Sequence, residues 1–466
     1  MLKDDRNRGV ILIGLTIIFT ILLSYLPEDT RVFGYQFKPV DLFMDIKPDS
    51  LLSQSRYEKN SWEINSSLFA ASLNHELIDG LFSSVKSSPA SVASSEVVIQ
   101  GKDVRLSGNV SKMSFFINAL KQAKTKKIRI AHLGDSEIEG DLITQSIRQN
   151  LQKRFGGKGA GFLSITSQDI SFRLSTKQSF SGNWKTSGLV KGYSAYLPIG
   201  LNGFTSVPRA GSWVMYEGSN YTQAGVSFKY AKVYYSNAKS SSIKYSFDKG
   251  PERTAPLLPG TNLQELTLAA EKDAKSIKLS CTADDQAYFY GVSLESDNGV
   301  YIDNFPLRGN SGVSIKDMSS SILNDFERLR DYQLIILQFG LNISMEGKND
   351  LFWYEREMSK VIETLKKTFP ETTILLVSVG DKGIKKGSSF VTDPKILKLV
   401  ETQKRIAETT QIVFWNMFEA MGGANSMASW ATASPPLALK DFSHFNFEGA
   451  KKVAKLFTAA LMNEFK

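Results

Sequence analysis

Three residues in this chain have the types and spacing needed for nucleophilic acyl chemistry. Ser136 closes the run Gly134-Asp135-Ser136, and Asp441 stands three residues before His444 in Asp441-Phe442-Ser443-His444. A serine hydroxyl is a weak nucleophile until a base takes its proton. A carboxylate three residues before an imidazole can turn back to hold its Nδ1–H, leaving Nε2 to accept that proton. Gly-Asp-Ser alone says little, since a serine ahead of a helix is commonly an N-cap. A lone histidine is commonly structural as well. Here only His75, His132 and His444 occur, and the Asp441 partner and the position before a final helix point His444 to catalysis. His132, four residues before Ser136 and inside a strand, points into sheet packing and is a poor candidate for the base.

For these groups to meet, both must lie at one rim of one sheet. KKIRIAHLGDS predicts a strand at 128–133 ending in a turn at Ser136, with helices at 113–123 and 140–155 on either side. Further on, strands at 334–340, 373–379 and 412–416 alternate with helices at 351–368, 395–409 and 447–463. Strands alternating with helices predict a parallel sheet covered on both faces, with its site at the carboxyl ends of the strands. Between 165 and 300 the helical periodicity vanishes. Short alternating strands such as VSFKYAKVYYS separated by Gly, Asn, Ser and Pro predict an inserted all-β sandwich.

The amino end carries a different signal. Residues 10–26, VILIGLTIIFTILLSYL, are uncharged and as a helix rise about 26 Å, enough to cross a bilayer. Lys3, Arg6 and Arg8 precede the run, Glu28-Asp29 follow it, and no small-x-small cleavage site intervenes. The expectation is an uncleaved single-pass anchor in the cytoplasmic membrane, with the catalytic body on the periplasmic side. The predicted organisation is a cytoplasmic segment 1–9, the anchor 10–26, and a spacer 27–105 with a short helix at 66–81 and a Ser-rich stretch at 83–96. A first catalytic part at 106–164, the insertion at 165–300 and a second catalytic part at 301–466 follow.

Composition narrows the chemistry. The chain has 466 residues, 42% hydrophobic, so an ordered core is expected and a disordered or collagen-like chain is excluded. One cysteine excludes an intrachain disulfide framework, and three histidines argue against a His-rich metal site. No metal or organic cofactor is implied. The balance of 56 Lys+Arg against 47 Asp+Glu gives +9, which favours anionic surroundings such as lipid headgroups or acidic polysaccharide. No nucleic-acid motif occurs. FGGKGAGF at 155–162 follows a helix instead of opening one, so it reads as a helix stop, not a phosphate loop.

Four ordered blocks carry a family resemblance: Gly134-Asp135-Ser136, Gly309-Asn310-Ser311-Gly312, Gly340-Leu341-Asn342 and Asp441-Phe442-Ser443-His444. They resemble the SGNH (GDSL-type) hydrolases. HLGDSEIEGDLITQSIRQNLQKRFGGKGAGF, followed by a β insertion, is similar to the branch of peptidoglycan O-acetylesterases and exopolysaccharide O-acetyltransferase partners. The resemblance implies an α/β fold: a flavodoxin-like three-layer parallel sheet with the all-β sandwich inserted and the transmembrane helix ahead of it. It implies Ser136 as nucleophile, His444 as base and Asp441 as its orienting carboxylate. It also implies an oxyanion hole from the Ser136 N–H, the Gly312 N–H and the Asn342 amide, with Gly309 as a rival for the second donor. Ile343 stands where the family's third block has Asp, and Glu137 and Glu139 flank the nucleophile. The aromatic and Met-rich stretch 414–430 offers a substrate-facing lip containing Gly422, Gly423 and Trp430, the last as a sugar-stacking candidate; a packed connector is the plainer alternative.

The function this implies is a membrane-anchored serine esterase removing O-acetyl groups from a cell-wall or surface polysaccharide, its partner being the O-acetylated glycan. The alternatives are an O-acetyltransferase fed by a membrane acetyl-donor partner, and a glycan-binding protein without turnover.

Overall fold

Apolar runs in this chain become buried strands whose alternate side chains face two separate cores. The computed structural model describes residues 31–32, 35–36, 101–168, 170, 173–190, 192–193, 195–221, 225–281, 286–345 and 351–465. Two units are distinguished, 1–87 and 88–466. In the first, Arg31–Val32 pairs antiparallel with Tyr35–Gln36. The expected anchor 10–26, the helix 66–81 and the Ser-rich stretch lie outside the described residues. Among the described residues no helix is long and apolar enough to cross a membrane.

The second unit is built on five parallel strands: β1 (Lys127–Gly134), β2 (Gly299–Pro306), β3 (Tyr332–Gln338), β4 (Thr373–Val377) and β5 (Val413–Trp415). Their order is β2-β1-β3-β4-β5, the doubly wound order of flavodoxin-like folds, and Ser107–Gly108 adds an antiparallel edge to β5. Successive strand residues point to opposite faces. Ala131 and Leu133, Ile335 and Leu337, Ile374 and Leu376 join one core, which helices α3 (Ser320–Arg330), α4 (Phe352–Thr368) and α5 (Pro394–Thr409) cover. Ile128 and Ile130, Leu334 and Ile336, Leu375 and Val377 join the other, covered by α1 (Ser114–Leu120), α2 (Thr144–Phe155) and α6 (Phe447–Asn463). Residues 101–105, at the end of the expected spacer, pack on this body: Trp415 donates its indole N–H to the Val104 carbonyl.

The insertion is a sandwich of two antiparallel sheets around a core that includes Tyr216, Val233, Ile277, Leu279 and Val292. Its limits differ from 165–300. Gly161–Leu163 already pairs with the sandwich strand Tyr288–Glu295, while Gly299–Pro306 belongs to the parallel sheet as β2. Asp303 and Asn304 interrupt the apolar run of β2, so periodicity does not single it out.

Those polar residues form part of the seam between sandwich and body. The Arg330 side chain, with no solvent exposure, donates to Asp303 of β2, to Glu295 of the sandwich at 2.7 Å and to the Tyr234 hydroxyl at 2.9 Å. Arg129 of β1 adds a 2.9 Å bond to Glu295. Burial alone would raise the Glu295 carboxyl, but the Arg129 and Arg330 guanidiniums hold it well below the usual range. Removing one member leaves buried charge uncompensated. Arg330→Met is therefore expected to cost on the order of 3–5 kcal/mol in urea unfolding; a loss under about 1 kcal/mol, the scale of a surface ion pair, would show that the seam does not depend on it.

Candidate active site

At the carboxyl end of β1 the chain turns sharply into two short helical turns between Ser136 and Asp141, kinked at Glu139 and Gly140. A Cβ on Gly134 would sit 2.8 Å from the Gln338 carbonyl oxygen, so glycine lets the β1 and β3 ends approach. The buried Asp135 carboxylate accepts the N–H of Glu137 at 3.1 Å and of Gly340 at 3.3 Å, tying the serine turn to the loop after β3. Burial pushes Asp135 up to about 6, against the pull of those N–H groups and of His444. Ser136 itself is half-buried.

The opposite wall is the loop before α6, a helix capped by the Asn446 side chain on the Gly449 N–H at 3.0 Å. Asp441 Oδ1 accepts the N–H groups of Ser443 and His444, which folds the loop back on itself. His444 Nδ1 lies 2.7 Å from Asp441 Oδ2, and its Nε2 lies 3.1 Å from Ser136 Oγ. Phe442, between them, has φ +53°, a left-handed conformation a side chain rarely adopts. A hairpin of Gly383–Lys386 and Ser389–Thr392, absent from the sequence expectations, holds it there. Phe390 stacks on Phe442 with centroids 3.6 Å apart and planes 7° apart, and the Gly383 N–H donates to the Phe442 carbonyl at 2.7 Å.

Electrostatics prepare this imidazole to take a proton. Burial lowers its affinity, but the Asp441 hydrogen bond and charge raise His444 above its ordinary value on balance. Burial would raise Asp441; its bonds to His444 and to the two N–H groups hold it below the usual carboxylate range instead.

The expected oxyanion donors come close together but face inward. Gly312 has φ +86°, and a Cβ there would strike Phe339 and Met358, so only glycine fits. Its N–H donates to Asn310 Oδ1 at 2.8 Å, while the Asn342 amide donates to the Asn310 carbonyl at 3.1 Å. Asn310 thus engages both donors, and sequence reading missed it although it lies inside the second block. The rival Gly309 is exposed, with open space around its Cβ position. Ile343 is in the core.

The stretch 414–430 is a packed connector. Trp430, at 0% exposure, lies against Phe445 inside the second core, so burial removes it as a stacking surface for sugar. Gly422 and Gly423, at φ +120° and +80°, end the short helix Met417–Met421.

A buried polar relay runs beneath the serine. His132 Nε2 lies 3.0 Å from the Gln338 amide and Nδ1 2.9 Å from Thr144 Oγ1; the Gln338 amide in turn lies 3.3 Å from Glu137. Thr144 donates its single proton to Asn304 Oδ1, whose amide nitrogen is committed to the Ile138 carbonyl. Burial pushes His132 down to about 4, so it is neutral. The Gln338 carbonyl oxygen faces His132 Nε2, and its amide nitrogen donates to Glu137 Oε2. Burial and the Asp135 charge push Glu137 up to about 8, against the pull of that Gln338 bond and of His444. The folded chain keeps the Glu137 proton to about pH 8, whereas an unfolded glutamate loses it near 4.5. The stability the proton carries is full below 4.5 and is lost as pH rises through 8. Glu137→Gln should therefore unfold at a temperature that climbs relative to the natural chain between those pH values; parallel curves would mean that Glu137 is ionised in the fold.

No protein-family model and no curated protein matches the chain. Among solved structures, it is similar to a peptidoglycan O-acetylesterase at 20% identity and a TM-score of 0.64, covering 77% of this chain and 98% of that one. It also matches a family two carbohydrate esterase from Cellvibrio japonicus, at 11% identity and a TM-score of 0.26 over 62% of this chain and 98% of the other. An acetyl xylan esterase matches at 16% identity and a TM-score of 0.27, over 34% and 80%. The first of these establishes that the body shares the fold of that solved structure.

Proposed function

We propose that this chain is a serine O-acetylesterase acting on a cell-wall or surface polysaccharide, anchored in the cytoplasmic membrane by residues 10–26. One observation carries the reading. A hydroxyl, an imidazole and a carboxylate stand in line, 3.1 Å and 2.7 Å apart, at the carboxyl rim of a β2-β1-β3-β4-β5 sheet. The similarity to a peptidoglycan O-acetylesterase supports acetylated glycan as the substrate class.

In this proposal Ser136 Oγ attacks the acetyl carbonyl carbon as His444 Nε2 takes its proton. The carbonyl oxygen becomes an oxyanion. It replaces Asn310 as the acceptor for the Gly312 N–H and the Asn342 amide, with the Ser136 N–H as third donor. The bond to the sugar oxygen then breaks, that oxygen receives the proton from Nε2, and acetyl stays on Ser136. Water attacks the acetyl-serine, gives its proton to Nε2 and releases acetate, restoring the hydroxyl. Asp441 keeps Nδ1 protonated and stabilises the imidazolium throughout.

Ser136→Ala should lower acetate release from an aryl acetate and from acetylated polysaccharide by on the order of 1,000-fold or more; equal rates would remove Ser136 from the reaction. The base must be neutral, and His444 binds its proton more tightly than a free imidazole. The rate should therefore fall with acid through a midpoint above 6.5, and Asp441→Asn should move that midpoint down. An unmoved acid limb would mean that another group governs it.

A further inference from the structure

On the sandwich, a cavity of about 520 Å³ opens beside the strand Lys185–Gly188, away from the serine turn. Tyr196 and Tyr288 line it together with Lys185, Arg209 and Gln286. Tyr196 is 48% exposed, and its backbone is held in place. Ser187 Oγ accepts the N–H groups of both Tyr196 and Leu197, at 3.0 and 3.3 Å, which fixes the backbone that carries the ring. The Lys185 ammonium stands 5.0 Å from its centroid, so aromatic surface and positive charge share one wall.

Among the described residues that line it, the charged side chains are of one sign: neither Lys185 nor Arg209 has a carboxylate partner there, and none of those lining residues is a carboxylate. An aromatic wall suits the C–H face of a sugar ring, and unpaired cations suit an acidic substituent on it. The same segment reaches the candidate active site. Two residues beyond Ser187, the Leu189 carbonyl accepts the Asn310 amide at 2.9 Å, and Asn310 holds the Gly312 and Asn342 donors.

We propose that this cavity is a subsite for a carboxylate-bearing sugar residue, holding an acidic polysaccharide on the insertion while its acetyl group is presented to Ser136. The inference rests on the reading that the substrate is a glycan. It assigns a polymer class, uronic-acid-containing or similarly acidic, and gives the insertion a role in selecting it.

The test uses the full chain in detergent and two unacetylated probes, a uronic-acid oligosaccharide and a neutral xylo-oligosaccharide, with binding followed by titration calorimetry. The natural chain should bind the acidic probe, more weakly as salt rises, and prefer it to the neutral one. Tyr196→Ala and Lys185→Gln should each weaken that binding about tenfold or more with the unfolding midpoint kept, as expected for exposed residues. Absence of binding, unchanged affinity in both variants, or equal affinity for the neutral probe would overturn the proposal. Aryl acetate turnover by the natural chain is scored separately: its absence would sink the esterase reading, whereas the binding results judge the subsite alone.

Discussion

The arrangement depends on one contact, the 3.1 Å approach of His444 Nε2 to Ser136 Oγ across the rim of the sheet. The two residues lie 308 positions apart in the chain, and nothing local brings them together. What does so is the parallel sheet, which puts the end of β1 beside the loop before α6. Each side is then fixed by its own short-range bonds. Asp135 ties the serine turn to Gly340, and Asp441 folds the histidine loop through two backbone N–H groups. The stack of Phe390 on Phe442 holds the loop in a left-handed conformation it would otherwise leave.

Around that contact the charges are sorted by environment. Asp441, half-exposed and hydrogen-bonded, remains ionised and serves the imidazole. Glu137, buried one residue from Ser136, remains protonated because the dry surroundings and its neighbour Asp135 disfavour a second negative charge. A neutral Glu137 also matters for the chemistry proposed, since an anion beside a developing oxyanion would oppose it. His132, the other described imidazole, is spent in the relay that keeps this arrangement satisfied.

Much of the body was legible from periodicity. The apolar runs of β1, β3, β4 and β5 announce buried parallel strands, and the amphipathic helices between them announce the layers. Strand β2 was not legible, because Asp303 and Asn304 sit in its middle. Their burial makes sense only with Arg330, Thr144 and the sandwich in place. That Ser136, His444 and Asp441 come together could be read from type and order. Asn310, Gln338 and Phe390 could not, since each acts through partners brought up by tertiary folding and none belongs to a residue class that suggests a reaction. Trp430 shows the converse error: an aromatic in a loop-like stretch fits either stacking or core, and burial decided for core.

The central claim is that an acetyl group passes through Ser136 with His444 as base. Its most direct measurement is peptide mass spectrometry of the chain quenched during turnover of an acetylated substrate. Acetyl on the peptide containing Ser136, and its disappearance when His444 is replaced by Ala, is the predicted result. Turnover with no acetyl at Ser136 at any quench time, or with acetylation unaffected by loss of the imidazole, would contradict it.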